Sequence, residues 1–183
     1  MQLLQRMATA QHHGDGEVAE LSAILGIDAS TLLEPVVARA WIALLTAYGG
    51  LTRALSSELM DSSGMSLADF DVLAQLARVE GHSLRMSELA DVALISKSGL
   101  TRRVDRLAIN GWVTRRRCTE DGRVHWATLT PHGIKAFRNA APAHLRAVAQ
   151  RFGASLPARE MEQLTRSLRK IAAANVDRVR ERA

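Results

Sequence analysis

The sequence predicts a mainly α fold with a small β component (α+β): a winged helix-turn-helix bracketed by long N- and C-terminal helices. Three observations carry this. Apolar residues recur at helical spacing along most of the 183-residue chain. Residues 86–110 read as a short helix, a tight turn and a second helix with outward arginines, stopped by Gly111. Two strand-like runs, 113–118 and 124–129, then flank an Asp121-Gly122-Arg123 tip.

The elements follow in order. Residues 17–26 carry a short helical pattern in which Val18, Leu21, Ile24 and Leu25 share a face. Pro35 suits the first position of a long helix. Its stripe of Val37, Trp41, Leu44, Tyr48, Leu51 and Leu55 steps like a heptad repeat. Gly49 and Gly50 weaken that helix unless another helix approaches closely there. Breakers cluster at 61–64. Ser66 then caps a helix over 66–79, with Asp69 in the capping-box position and Leu67, Phe70, Leu73, Ala74 and Ala77 facing inward. Ser87 opens the next helix, Leu94 and Ile95 make the turn, and Ser96 caps the helix that follows. Thr130-Pro131 starts another, with Ile134, Phe137, Ala141, Leu145, Val148 and Phe152 on one side and a kink expected at Pro142. Leu156-Pro157 opens the last, whose Met161, Leu164, Leu168 and Ile171 keep helical spacing. The apolar stripes of the outer helices exceed what one chain can cover, which suggests a helical dimer. We divide the chain into an N-terminal extension (1–33), a helical dimerisation region (34–63 and 131–183) and a winged lobe (64–130).

Bulk properties are compatible with this plan. Hydrophobic residues at 47% and charged residues at 23% are ordinary for a soluble globular protein. The net charge of +5 is a weak pointer to nucleic acid. Its placement says more, because Arg102, Arg103, Arg106, Arg115, Arg116, Arg117 and Arg123 cluster in one stretch. With Cys118 the one cysteine, no intrachain disulfide forms. No secretory signal pattern and no bilayer-length apolar run is present, so the expected location is cytoplasmic, without membrane contact.

On a wheel of about 100° per residue, Leu100, Val104 and Leu107 fall together and face the core. Ser98, Arg102, Asp105 and Arg106 fall opposite, flanked by Lys97 and Thr101. A solvated face also carries arginines. Here, however, the small residues Ser98, Gly99 and Thr101 permit close approach to a groove, and Arg102 has the donor fork that reads guanine edges. Arg103 lies at the edge of the buried face and can turn toward a cavity or a carboxylate. Arg123, on a protruding hairpin, suits the minor groove, and Asp121 can orient it. Taken alone, Asp121-Gly122 is an ordinary turn.

The run Ser96-Lys-Ser-Gly-Leu-Thr-Arg-Arg-Val-Asp-Arg-Leu107, the Gly111 to Arg117 strand entry, the Asp121-Gly-Arg123 tip and Leu129-Thr-Pro-His-Gly133 resemble the MarR family of bacterial transcription regulators. The resemblance covers about residues 35–171. It implies a homodimer held by the first and last helices on a pseudo-palindromic operator in double-stranded DNA. It also implies repression relieved by a small aromatic or anionic ligand between the dimerisation helices and the DNA-binding lobe. By motif position, Ser96, Lys97, Ser98, Thr101, Arg102 and Arg106 read DNA, with Arg123 in the minor groove. Asp71, Arg103 and Arg115 match three of four positions in a subgroup resembling urate-responsive regulators. The fourth, a tryptophan, has no counterpart in the N-terminal segment, and Trp41 falls elsewhere. The same residues read equally as an ion-pair network joining the recognition helix to the core. With Trp41, Tyr48 and Phe70 they form the candidate ligand pocket.

Other signals are weaker. The six histidines lack metal-ligand spacing, so no metal or cofactor is expected. Cys118, among arginines, is a minor candidate for redox sensing. Residues 20–32 also resemble a helix-turn-helix, but without basic residues they read as a docked N-terminal helix. No phosphate loop, nucleophile elbow or paired-carboxylate site points to an enzyme. Alternatives to a regulator are an architectural DNA-binding protein and a winged-helix ligand-binding or interaction module that never touches DNA.

Overall fold

The computed structural model describes residues 16, 19, 22–23, 26–93, 97–117 and 124–180, with the backbone alone at 97–98 and 176–180. Val18, Leu21, Ile24 and Leu25, the expected face of the first short helix, lie outside the described residues. A 3-10 turn at Ala29–Thr31, started by the Asp28 side chain accepting from the Ser30 N–H, leads to the first long helix.

That helix, α1 (Pro35–Ser63), has Pro35 in its first turn and ends on Gly64, whose φ of 67° is the left-handed cap conformation. Its buried positions are Ala38, Ile42 and Leu59. The heptad-like stripe lies on a different side, with Val37, Trp41, Leu44 and Tyr48 exposed and Leu51 and Leu55 half-buried. A Cβ on Gly50 would meet nothing and one on Gly49 only the Arg53 side chain, so among the described residues no close helix approach accounts for the glycine pair.

α2 (Leu67–Ala77) is capped by Ser66, whose Oγ accepts from the Asp69 N–H at 3.1 Å. The expected inner face is partly revised. Phe70 and Leu73 are buried, whereas Leu67, Ala74 and Ala77 are half-buried, and Asp69, Val72 and Leu76 take the inner positions. After a turn in which Gly81 has a φ of 69°, the chain forms β1 (Ser83–Arg85), a strand the sequence pattern did not reveal. α3 (Met86–Val92) starts one residue earlier than the Ser87 start expected from the sequence. Arg85 is its N-cap, and the Arg85 N–H donates to Glu88 Oε2 at 3.0 Å.

α4 (Lys97–Ile109) turns Leu100, Val104 and Leu107 fully into the core, as the wheel requires. It ends at Gly111, with a φ of 69°. β2 (Val113–Arg117) and β3 (His125–Leu129) pair antiparallel, and β1 adds to the far side of β3, giving the order β1-β3-β2. The register sets Arg85 beside Trp126 and Trp126 beside Arg116. Val113, Ala127 and Leu129 point into the core.

α5 (Pro131–Arg151) is joined tightly to this sheet. Thr130 Oγ1 accepts from the Gly133 N–H at 2.9 Å and donates to the Gly111 carbonyl at 2.7 Å. A Cβ at Gly133 would fall on the Trp112 carbonyl, so only glycine permits this approach. The helix continues through Pro142 to Arg151. Arg151 Nε donates to Glu58 Oε1 at 2.6 Å, tying α5 to α1. A short 3-10 turn leads to α6 (Ala158–Arg180), on which Met161 and Leu164 are half-buried and Leu168 and Ile171 exposed. The core is centred on Val72, Leu73, Leu76, Leu89, Leu100, Val104 and Leu107, with Leu59 of α1 and Ala140 of α5 at its border. Among the described residues no helix is long and apolar enough to cross a membrane.

Candidate nucleic-acid interface

The three arginines of α4 do different things. Arg102 is exposed and, among the described residues, pairs with no carboxylate. Arg103 turns inward, and its Nη1 lies 3.0 Å from Asp69 Oδ1. Arg106 Nη2 reaches the same oxygen at 2.5 Å. Asp69 keeps only 9% of its side-chain surface, against 25% for Arg103 and 54% for Arg106. One sheltered carboxylate on α2 therefore holds two turns of α4. This fixes the rotation of the helix and so the direction in which Arg102 projects.

Asp69 corrects the capping-box reading. Its backbone N–H serves the Ser66 cap, but its carboxylate serves two guanidinium groups instead of returning to the helix start. A signal was available in the spacing, because Asp69, Val72 and Leu76 share the buried face of α2. A carboxylate on such a face requires a cation.

Thr101 is half-buried, and Lys97 and Ser98 begin the helix. Ser96, Asp121, Arg123 and Cys118 lie outside the described residues. Arg115 pairs with Asp105 Oδ1 at 3.1 Å, on the outer side of α4.

Between α1, α2, α4 and α5 lies an open cleft of about 1060 Å³. Tyr48, Thr52, Arg53 and Ser56 line it from α1, Phe70 and Asp71 from α2, Arg103 and Arg106 from α4, and His144 from α5. Of the six residues grouped by sequence as a ligand pocket, the cleft thus brings together Tyr48, Phe70, Asp71 and Arg103. Trp41, half exposed farther back on α1, and Arg115, held at Asp105, are not in its lining. Asp71 accepts from Gln75 Nε2 at 3.3 Å and is not the partner of Arg103.

Arg53 and His144 were not singled out by the sequence. The His144 ring lies 4.5 Å from Phe70, which in turn lies 4.9 Å from Phe137. Burial pushes the His144 pKa below its ordinary value, because the imidazolium loses solvation. Two buried polar atoms of cleft residues, Arg103 Nε and His144 Nδ1, have no hydrogen-bond partner among the described residues. The cleft therefore pairs an aromatic wall with guanidinium groups, which suits a small planar anion. Among the described residues no cluster of His, Cys, Asp or Glu is arranged to hold a metal.

Comparison with known proteins agrees with this geometry. A family model described as MarR family matches residues 63–124, from the end of α1 to the wing. The transcriptional repressor MprA of Escherichia coli (strain K12) is 30% identical over 114 residues, 61% of this chain and 65%, just under two thirds, of that repressor. AbsC, a MarR family regulator from Streptomyces coelicolor, is 30% identical with a TM-score of 0.70, over 79% of this chain and 97% of AbsC. Sco3205, a MarR family regulator from the same organism solved in complex with DNA, is 33% identical with a TM-score of 0.71, over 78% of this chain and 89% of Sco3205. The chain belongs to the MarR family of transcriptional regulators.

Proposed function

We propose that the protein is a homodimeric repressor that binds a pseudo-palindromic operator and is released by a small aromatic or anionic ligand. α4 enters the major groove, where Ser96, Lys97, Ser98, Thr101 and Arg102 contact DNA, and Arg123 follows the adjacent minor groove with support from Asp121. The observation that carries this reading is the division of labour on α4. Arg102 is exposed and, among the described residues, pairs with no carboxylate, while Arg103 and Arg106 are anchored on Asp69. Arg106 contributes to DNA binding only by sharing or leaving that carboxylate. Sco3205, with a similar fold, was solved with DNA bound, and MprA is a repressor.

Dimerisation is supported by the exposed apolar faces of α1 and α6. Residues 34–63 and 131–183 form the dimerisation region in this reading, residues 64–130 the DNA-binding lobe and residues 1–33 an extension. Ligand release is supported by the cleft, because a bound anion would compete with Asp69 for Arg103 and free the rotation of α4.

The test is fluorescence anisotropy on DNA selected by the protein from a random pool, against a scrambled duplex, across a salt series. Specific binding by one dimer per site is expected, and Arg102→Ala should weaken it by ~1–3 kcal/mol. Equal, weak binding to both duplexes would favour an architectural role. No binding at all would leave the module that never touches DNA.

A further inference from the structure

The outer face of the sheet has no part in the function proposed above. Alternate residues of a strand point to opposite faces. Since Val113, Ala127 and Leu129 are buried, Thr114 and Arg116 of β2, Trp126 and Thr128 of β3, and Ser83 and Arg85 of β1 face out. They form two rows across the sheet. One is hydroxylic, with Ser83 Oγ and Thr128 Oγ1 2.8 Å apart. The other runs Arg85, Trp126, Arg116, and the Arg85 guanidinium carbon sits 5.4 Å from the centre of the indole ring.

The second row is not electrostatically balanced. Glu88 comes only within 4.0 Å of Arg85, across an exposed pair, and its other oxygen already accepts the Arg85 N–H. Such a pair adds little. Arg116 is exposed and has no carboxylate partner among the described residues.

Position matters as much as charge. β1 and β2 both run toward the wing, so this row lies at the wing end of the sheet and the hydroxylic row at its root. Arg85 is also the residue before α3, the first helix of the helix-turn-helix. We propose that Arg85, Trp126 and Arg116 form a phosphate-binding surface for the DNA backbone flanking the segment read by α4 and the wing. The indole holds Arg85 extended over its face, which reduces the freedom the side chain gives up when it meets a phosphate. The charges lie at the end of the sheet nearest the β2–β3 connection, where a duplex read by α4 would continue outward. This inference rests on the DNA-binding reading, and the experiment separates the two.

A duplex selected by the wild-type dimer is trimmed to the contacts of α4 and the wing, and compared with the same duplex extended by about one helical turn, ~10 bp, on each side. The wild type should bind the extended duplex more tightly. Arg85→Gln with Arg116→Gln should weaken binding to it by about tenfold, and reduce its log-log salt slope by roughly 0.9 for each phosphate no longer neutralised. Binding to the trimmed duplex should not change. Arg85→Lys with Arg116→Lys should retain most of the salt slope, and Trp126→Leu should fall between. Both arginines are exposed, so an unchanged circular dichroism melt confirms that the variants fold. If the wild type binds both duplexes equally and the glutamine variant matches it, the surface does not hold DNA and suits an acidic protein instead, while Arg102 dependence keeps the DNA reading intact. If no duplex is selected, both readings fall.

Discussion

The winged lobe and the long helices use the same apolar residue types to opposite ends. In the lobe, Leu73, Leu76, Leu89, Leu100, Val104 and Leu107 are all fully buried within one chain. On α1 and α6, Val37 (47%), Trp41 (50%), Tyr48 (68%) and Ile171 (53%) remain exposed to solvent. Large apolar side chains left exposed at helical spacing suit the dimer interface proposed above. The difference teaches that the lobe closes its core within a single chain, whereas the burial of the outer helices would be completed by the second copy proposed above. The buried positions of α1 are Ala38, Ile42 and Leu59; Ala38 packs with Ala29 of the turn before the helix, and Leu59 joins the lobe's core.

The largest effect that tests this contrast lies in the lobe. Leu107→Ala removes a fully buried side chain from the last turn of α4 and should destabilise the fold by about 2–5 kcal/mol, read from urea denaturation. A loss below about 1 kcal/mol would mean that the core relaxes around the site and is less tightly set than its burial indicates.

Next come the exposed faces. Trp41→Asp and Leu168→Asp, made separately, place a charge on the apolar sides of α1 and α6. Each should raise the dimer dissociation constant by roughly 30-fold or more, about 2 kcal/mol, in sedimentation equilibrium. The lobe should meanwhile unfold at its usual urea midpoint once the concentration dependence is removed. A wild-type protein that sediments as a monomer at micromolar concentration would break the comparison, because the exposed faces would then have no second copy to cover them.

How much of this was legible in the sequence depends on where each interaction closes. Within α4, the helical period alone placed Leu100, Val104 and Leu107 inside and left Arg103 at the edge, because one helix and one core settle those positions. Gly111 and Thr130-Pro131 were equally local signals. β1 was not legible, since Ser83-Leu-Arg is too short for alternation to show, and its strand form is imposed by pairing with β3. Asp69 was legible only by half. Its distance from Ser66 fits a local cap, and the competing tertiary demand of Arg103 and Arg106 comes from 34 and 37 residues away. Trp41 and Arg115 lie outside the cleft lining for the same reason, because position in a motif does not say which neighbour a long side chain meets. On α1 the period identified which residues are apolar, but periodicity says nothing about which surface covers them.

The smallest effect belongs to the seam between the two regions, where the His144 ring of α5 lies tilted against Phe70 of α2. Burial lowers its pKa from the ordinary 6.5 because the charged ring is less well solvated in the folded state. Above that value both folded and unfolded chains carry the neutral ring, and His144 adds no pH dependence. As the pH falls below 6.5, the unfolded chain takes up a proton that the folded chain resists, so stability declines. The decline stops once the pH passes the lowered folded-state pKa and both states are charged. Urea midpoints of the wild type and of His144→Phe, measured from pH 7.5 down to about 5, isolate this contribution from those of the other histidines. The phenylalanine keeps a ring against Phe70 but cannot titrate, so the variant should show the shallower loss of stability on acidification. Parallel pH profiles would show that the seam opens enough to solvate the imidazolium. The boundary between lobe and helices would then be looser than either side of it.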